Sequence, residues 1–465
     1  MLATGCDHKT ARLRIAGEPE SLGISLKKYF ENSLYLLDDE GQRKFVDELK
    51  ALKEKERQEK LAKEEAAANK SKYNREFCIS KAMEAMGWTR EEAETDVDRN
   101  HREFGITYKR YIRGKYYRLS PEDQKAEALN SFKRDEEGAA ELASQRDHAM
   151  ELTGWTQEKL MDDFHRVRDR IGCIWSEYYQ FRFFDMTDEE QDRIFIKACS
   201  KKIRALYPRD PELVKTLESK ENTNRKFSEF IIRPWCMNED IDKEGFIDLF
   251  KDSPGVCYKP VFGLQARGVE VFRFSEITAD EVYDIVSTRP RGVVEELVIQ
   301  HHEMAKLNPT SVNCLRIVSV SSSEKPVSPD GRHVLILGVS LKIGGGGAIV
   351  DNLHAGGGVV CGVDLETGIV DTDGANWEGE RYLTHPVTGT VLRGFRVPHF
   401  KEALAFVEEM CEKLDLRSMV GWDMAIGEDG PILIEANSSP DPTLLQLPYA
   451  MDKRGIKDQM LRCVF

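Results

Sequence analysis

Three oxygen-bearing side chains, Asp423, Glu435 and Asn437, lie near the end of the sequence with a spacing that suits a metal ion. Residues 420–426 and 432–437 both alternate between apolar and other residues, and a period of two predicts two strands. Two carboxylates and an amide oxygen on one face are the hard ligands that Mg²⁺ takes. A half-exposed hairpin with ordinary surface acids is the other interpretation of the same pattern.

The connection between these strands predicts how they pair. A three-residue loop of Glu428, Asp429 and Gly430, with the glycine in the left-handed conformation, is a favoured hairpin connection. This loop places Asp423 directly opposite Glu435, and Met424 opposite Ile434. A shift by one residue would turn the acids to the apolar face, so the alternation itself selects the register.

A basic, glycine-flanked stretch precedes the hairpin. Residues 255–260 read as a strand that carries Lys259, and a loop bounded by Gly263 and Gly268 follows it. Glycines let backbone N–H groups approach phosphate oxygens, and a lysine adds a mobile positive charge. A plain connection between two strands is the alternative for this segment.

Further charged residues follow in a defined order along the chain. First comes Val-Val-Glu-Glu-Leu at 293–297, and then an arginine, Arg316, enters a strand after Asn313. Lys342 precedes a run of glycines, and the hairpin with Asp423 comes last.

This order resembles the ATP-grasp superfamily, and it is most similar to the sugar-transfer-associated ATP-grasp group, which is linked to surface polysaccharide synthesis. The resemblance covers about residues 218–447. It is carried by the segments 311–317, 350–352, 356–358, 385–389 and 421–423. In this chain Arg225 or Lys226 stands where the superfamily has its first ATP-binding lysine. The fold class that the resemblance implies is α+β.

The resemblance implies ATP and Mg²⁺ as cofactors. Lys259 would contact the α-phosphate, and the loop from Gly263 to Gly268 would cover the β- and γ-phosphates. Mg²⁺ would be bound by the hairpin ligands Asp423, Glu435 and Asn437. Arg316 with Lys342 would stabilise charge on the phosphoryl group during transfer.

The resemblance also implies contacts to the nucleoside and the substrate. Backbone groups of Glu295, Glu296 and Leu297 would hold adenine. Glu303 would contact the ribose, with Gln300 as the alternative. Asn313 belongs to the same predicted nucleotide site. The substrate contacts would come from five residues: His302, Asp351, Asn352, His354 and Thr388.

The reaction that the resemblance implies joins a carboxylate to an amine at the expense of ATP, with small molecules or peptides as substrates. Two other functions remain open. One is a phosphotransferase that acts on a hydroxyl, and the other is a nucleotide-binding docking protein that works through its N-terminal half.

That N-terminal half contains an internal repeat. Residues 82–124 and 149–191 match at a separation of 67 positions, as between Gly87 and Gly154, and a partial copy covers 23–42. Each copy is predicted to form helices that begin at capping residues and end at glycines. We therefore predict an all-helical domain over 1–204, which could bind a protein partner, and a catalytic domain over 205–465.

Composition and net charge narrow the class of protein and its possible partners. The chain has 465 residues and a net charge of −14, without a separate basic run, so a nucleic-acid partner is excluded. No apolar run reaches membrane-spanning length. The ten cysteines lack paired short spacings, which indicates reduced thiols. These features predict a cytoplasmic enzyme of two domains.

Overall fold

The computed structural model describes residues 73–208, 210–261, 268–346, 353 and 357–464. The chain divides into two compact units, Met1–Glu141 and Leu142–Phe465. The predicted partial repeat at 23–42 lies outside the described residues. No helix in the described part is both long and apolar enough to cross a membrane.

The first half of the described chain is helical, as predicted. The helices are α1 (Arg75–Met86), α2 (Arg90–Asp98), α3 (Tyr108–Arg113), α4 (Pro121–Thr153), α5 (Gln157–Ile171), α6 (Trp175–Gln180), α7 (Asp188–Asp192), α8 (Lys197–Leu206), α9 (Pro211–Leu217) and α10 (Lys220–Lys226).

Both predicted capping boxes are confirmed. Thr89 caps α2 together with Glu92, and Thr187 caps α7 together with Glu190. In each case the threonine side chain accepts from a backbone N–H in the first turn, and the glutamate accepts from the threonine N–H, so two otherwise unpaired donors are satisfied.

The two full copies share internal contacts at the separation of 67 positions. The hydroxyl of Tyr111 donates to Asp96 over 2.6 Å, and that of Tyr178 donates to Asp163 over 2.6 Å. The amide of Gln124 donates to the Tyr116 carbonyl over 3.0 Å, and that of Gln191 to the Phe183 carbonyl over 2.9 Å. The same side chains therefore hold the turns of both copies.

The rest of the chain forms two antiparallel sheets with flanking helices. The smaller sheet has the order β1-β4-β2-β3, with β1 (Trp235–Met237), β2 (Gly255–Pro260), β3 (Glu270–Arg273) and β4 (Gly292–Glu296). Its helices are α11 (Lys243–Leu249) and α12 (Ala279–Val286). A short helix, α13 (His302–Ala305), follows β4.

The larger sheet has seven strands in the order β11-β10-β5-β6-β7-β8-β9. They are β5 (Cys314–Ser321), β6 (Val334–Ile343), β7 (Val359–Gly362), β8 (Gly374–Ala375), β9 (Arg381–Tyr382), β10 (Met419–Gly427) and β11 (Gly430–Asn437). The remaining helices are α14 (Phe400–Lys413), α15 (Thr443–Ala450) and α16 (Lys457–Met460). Helices and antiparallel sheets together confirm the α+β class.

The two faces of the larger sheet bury different partners. On one face, Leu341 and Trp422 pack in a core with Val407 and Met410 of α14. A second core joins Val360 and other residues of the sheet to the second repeat copy. Its members from that copy and the following segment include Phe181, Phe183, Ile194, Phe195 and Ile196.

The second repeat copy is therefore part of the core of the unit that contains both sheets. Phe195 is 1% exposed, and its N–H donates to the Gln446 side chain over 2.8 Å. Burying an aromatic side chain of this size contributes several kcal/mol, and its loss leaves a cavity.

We expect Phe195→Ala to lower the free energy of unfolding by about 3–5 kcal/mol, because it creates a cavity in this shared core. Urea denaturation monitored by tryptophan fluorescence measures the change. Leu383→Ala, at a side chain that is 66% exposed, serves as the control and should be nearly neutral. Equal stability of the two variants would contradict the packing described here.

Candidate active site

Strands β10 and β11 form the predicted hairpin, and the acidic pair meets as expected. Asp423 lies opposite Glu435, and Gly421 lies opposite Asn437. The connection differs from the prediction, because Gly427 pairs with Gly430. The loop therefore has two residues, and the predicted three-residue loop is wrong.

The predicted pairing of Met424 with Ile434 is also wrong. Met424 lies opposite Leu433, because the register shifts between Asp423 and Met424. The two-residue loop alone would place Ile434 opposite Asp423. A bulge in β11 takes up one extra residue, and it brings Glu435 back to the side of the sheet that carries Asp423.

Asp423 binds two cations from the neighbouring strands. Arg316 of β5 contacts both carboxylate oxygens, with Nε 2.5 Å from Oδ1 and Nη2 2.9 Å from Oδ2. Lys342 of β6 places Nζ 3.2 Å from Oδ2. All three side chains are buried. Burial favours the neutral acid, but the charges of Arg316 and Lys342 outweigh it and hold the pKa of Asp423 below its ordinary value.

The other two predicted metal ligands, Glu435 and Asn437, differ from Asp423 in exposure and in their contacts. Glu435 is exposed and makes neither a hydrogen bond nor an ion pair with any described residue. The side-chain nitrogen of Asn437 is buried without a hydrogen-bond partner in the described part of the chain. The Glu435 carboxylate and the Asn437 amide lie on the strand beside Asp423, and oxygen ligands of these types fit a Mg²⁺ ion.

A second charged cluster lies on the smaller sheet around Glu295. Its carboxylate accepts from Lys259 over 2.9 Å, from Arg233 over 2.6 Å and from Asn224 over 3.2 Å. Arg233 also donates to the Leu433 carbonyl of β11 over 2.6 Å. This arginine therefore links the smaller sheet to the hairpin of β10 and β11.

The pKa values of this cluster follow from burial and pairing. Burial acts against the charged form of Glu295, but Arg233 and Lys259 outweigh it, so the pKa of Glu295 is lowered. Burial also acts against the charge on Lys259, and here Glu295 outweighs it and raises the pKa of Lys259. Both groups are charged at neutral pH, and Lys259 is held in place as a cation.

Backbone N–H groups at the end of β4 and in the segment that follows it donate hydrogen bonds to backbone carbonyls. The N–H of Glu296 donates to Pro234 and that of Leu297 donates to Gly255, each over 2.9 Å. The side chain of Glu296 accepts from Ser253 over 2.9 Å. Further along, the N–H of His301 donates to the Ile426 carbonyl over 2.7 Å.

Lys220, at the start of α10, is close to both charged clusters and was not predicted from the sequence. It is half-buried, and burial lowers its pKa, while the charges of Glu435, Lys259 and Glu295 also act on it. Arg225 and Lys226, in the last turn of the same helix, are exposed instead. The only sequence signal for Lys220 was its place one residue after the N-cap Ser219.

Several other predicted residues have structural contacts. Asn313 donates to Gln300 and to the carbonyls of Met304 and Asn308. The hydroxyl of Thr388 donates to the Leu307 carbonyl over 2.9 Å. Both side chains hold the loop between β4 and β5.

His302 is exposed and Glu303 is half-buried, and neither side chain contacts the Asp423 cluster among the described residues. Glu303 pairs with Lys306 over 2.5 Å. His302 contacts Glu428, at the tip of the hairpin, over 3.0 Å.

Four predicted site residues lie outside the described residues: Gly263, Asp351, Asn352 and His354. Gly268 is described, with a φ of 74°. A Cβ at this position would lie 3.1 Å from Cγ of Pro260, so a left-handed glycine lets the returning chain pass close to the end of β2.

Comparison with known proteins identifies the family that the part of the chain with both sheets resembles. Residues 236–459 match a family described as sugar-transfer associated ATP-grasp. No curated protein matches the sequence. The C-terminal part of the chain is thus an ATP-grasp domain. Within that class residues 236–459 match the sugar-transfer-associated family, and ATP-grasp enzymes use ATP and Mg²⁺.

Solved structures with similarity include D-alanyl-alanine synthetase A from Vibrio cholerae O1 biovar eltor, at 14% identity over 54% of this chain and 64% of that chain, with a TM-score of 0.32. An N5-carboxyaminoimidazole synthetase from Staphylococcus aureus has 8% identity over 53% and 54%, with a TM-score of 0.32. The ATP-grasp ligase PsnB has 12% identity over 50% and 55%, with a TM-score of 0.29. The chain spans about half the length of such structures.

The Glu295 cluster predicts a defined acid sensitivity. Because the folded-state pKa of Glu295 lies below its ordinary value of 4.5, its ion pairs stabilise the fold fully above that pH. This stability is lost as the pH falls through the lowered folded-state pKa.

We expect Glu295→Gln to lower the free energy of unfolding by about 3–5 kcal/mol at pH 7, because Arg233 and Lys259 lose their buried counter-charge. The difference from the unmodified protein should narrow as the pH falls well below 4.5. Denaturant titrations at a series of pH values measure it. Glu296→Gln, next to it and bonded to a serine, should cost far less, and a gap that widens in acid would contradict the assignment.

Proposed function

We propose that this protein is an ATP-dependent ligase that joins a carboxylate to an amine. The observation that carries the proposal is the row of charged groups on one face of the larger sheet, from Glu435 through Asp423 and Arg316 to Lys342. Neighbouring strands bring the carboxylates of Glu435 and Asp423 next to two buried cations within one ATP-grasp domain. Such an arrangement suits phosphoryl transfer, in which positioning and charge do most of the catalysis.

The proposed reaction has two steps. A carboxylate oxygen of the substrate attacks the γ-phosphorus of ATP, the bond to the bridging oxygen breaks, and ADP leaves. The resulting acyl phosphate is attacked at its carbonyl carbon by an amine. Phosphate leaves, the nitrogen loses a proton, and an amide remains.

The position of each residue determines the role that we propose for it. Lys259 and Lys220 lie beside Glu295 and would bind the phosphates of the nucleotide. Arg316 and Lys342 would donate hydrogen bonds to the phosphoryl group in transfer. Groups directed at developing charge lower the barrier most when they are held before the reaction begins, and both cations are buried in neighbouring strands.

Glu435 and Asn437, with Asp423, would hold Mg²⁺, which when bound neutralises charge on the phosphate oxygens. Asp423 has a second task, because it orients the guanidinium of Arg316 through two contacts. Glu295 has the equivalent task for Lys259.

Trapping of the activated carboxylate tests the reaction class. With a carboxylate substrate, ATP and Mg²⁺, hydroxylamine should replace the amine and give a hydroxamate, while ADP release depends on the carboxylate. Candidate carboxylates are screened by ADP release, and the product is identified by mass spectrometry. A phosphorylated hydroxyl without any hydroxamate would replace this proposal with a phosphotransferase.

The metal assignment is tested at Glu435. Glu435→Gln keeps the size of the side chain but removes its charge, so we expect the Mg²⁺ concentration for half-maximal ADP release to rise by about 10- to 100-fold. Asp429→Asn removes an exposed carboxylate from the tip of the same hairpin and is the matched control. The same rise in both variants, or none in Glu435→Gln, would refute the assignment.

A further inference from the structure

The turn after the third helix of each repeat copy has the same backbone conformation in both copies. It covers residues 113–118 in the first copy and 180–185 in the second, at the separation of 67 positions. Lys115 and Arg182 occupy the same left-handed position in it, with φ values of 52° and 55°. A single turn of 3-10 helix follows that residue in each copy. The two turns therefore present equivalent positions to their surroundings.

The turn of the second copy contacts another part of the chain. The side chain of Gln180 donates to the Trp377 carbonyl over 3.1 Å. Gly379 lies so close that a Cβ there would be 2.6 Å from the Gln180 carbonyl oxygen. At the other end of the turn, Lys453 donates to the carbonyl of Asp185 over 2.5 Å. Both ends of this segment, which we call the docked turn, thus contact polypeptide within the compact unit that contains both sheets.

The charged side chains of the equivalent turn in the first copy are exposed. Arg113, Lys115 and Arg118 form neither a hydrogen bond nor an ion pair with any residue in the described ranges. The nearest acids in sequence, Glu122 and Asp123, lie in the first turn of α4 and do not pair with these cations. We call this segment, residues 113–118, the basic turn.

The two turns differ in charge at equivalent positions. Arg113 takes the place of Gln180 and keeps a side chain that donates hydrogen bonds. Arg118 takes the place of Asp185, which pairs with Arg182 over 2.6 Å in the second copy. The docked turn is therefore neutral, whereas the basic turn has three positive charges.

The chemistry of a partner follows from what the docked turn contacts. That segment, residues 376–380, reads Asn-Trp-Glu-Gly-Glu, with one aromatic ring and two acids. Opposite charges across an interface speed encounter and exclude wrong partners. Three positive charges suit a segment of the same type even better than a neutral turn does. Two basic turns repel each other, so pairing of this surface with itself is disfavoured.

We propose that the basic turn is the docking surface for an acidic segment of another protein, one with an aromatic residue among its carboxylates. Guanidinium groups bind carboxylates through paired hydrogen bonds and stack on aromatic rings. The two arginines of the turn fit both parts of such a segment. None of the groups that we assign to the ligase reaction takes part, so this docking is independent of the proposed function.

Binding of a fluorescently labelled random copolymer of glutamate and tyrosine to the full-length protein, measured by anisotropy, tests the surface. We expect the triple variant Arg113→Gln, Lys115→Gln, Arg118→Gln to bind at least about 10-fold more weakly, because three exposed charge pairs are lost together. Binding to the unmodified protein should weaken as the salt concentration rises.

A matched control removes three other exposed positive charges. The triple variant Lys201→Gln, Lys202→Gln, Lys401→Gln should bind like the unmodified protein. Polyglutamate should bind more weakly than the copolymer, because it lacks rings on which the arginines can stack. Far-UV circular dichroism checks that both variants keep their helices.

Each result decides the matter. Selective loss in the first triple variant supports the proposal. Equal loss in both variants, no binding of the copolymer to the unmodified protein, or equal affinity for polyglutamate would overturn it. Tighter binding of phosphatidylglycerol vesicles or of duplex DNA, lost in the same variant, would replace the protein partner with a membrane or a nucleic acid. Self-association of the full-length protein that this variant abolishes would make a second copy of the chain the occupant.

Discussion

The structure depends on the need to neutralise a carboxylate that is buried in the middle of a sheet. An unpaired buried charge costs several kcal/mol, so Asp423 requires cations at fixed places. Arg316 comes from the adjacent strand and Lys342 from the strand beyond it. This requirement ties together three strands, and it places the groups that we assign to phosphoryl transfer side by side before any substrate binds.

The same principle operates on the smaller sheet, where it joins two parts of the site. Glu295 needs Arg233 and Lys259, and Arg233 also donates to the carbonyl of Leu433 in the hairpin of β10 and β11. The lysine proposed for the nucleotide phosphates and the hairpin proposed for the metal are therefore linked through one buried arginine. A change at Glu295 would act on both.

The features that could be predicted follow from the alternation of apolar residues in the strands and from the order of motifs along the chain. The alternation in β10 and β11 placed Asp423 opposite Glu435, and the order of motifs indicated the α+β ATP-grasp domain. The two-residue loop and the bulge at Ile434 could not be predicted. Each alone would shift the register by one residue, but together they leave Asp423 opposite Glu435. Glu295 was expected to act through its backbone, but its role in the fold depends on Arg233, which is distant in sequence. Lys220 belongs to no motif, and only the packing of α10 brings it to the site.

The two repeat copies have the same internal contacts but pack against different residues. Their internal hydrogen bonds agree, since Tyr111 and Tyr178 each bond an aspartate at the same separation. They differ at positions that pack with the sheet in the second copy. Phe195, four residues after the second copy, is buried in the sheet core, whereas the residue at the same place after the first copy is Ala128. The internal contacts agree between the copies, and large apolar residues in and after the second copy, such as Phe183 and Phe195, pack it against the larger sheet.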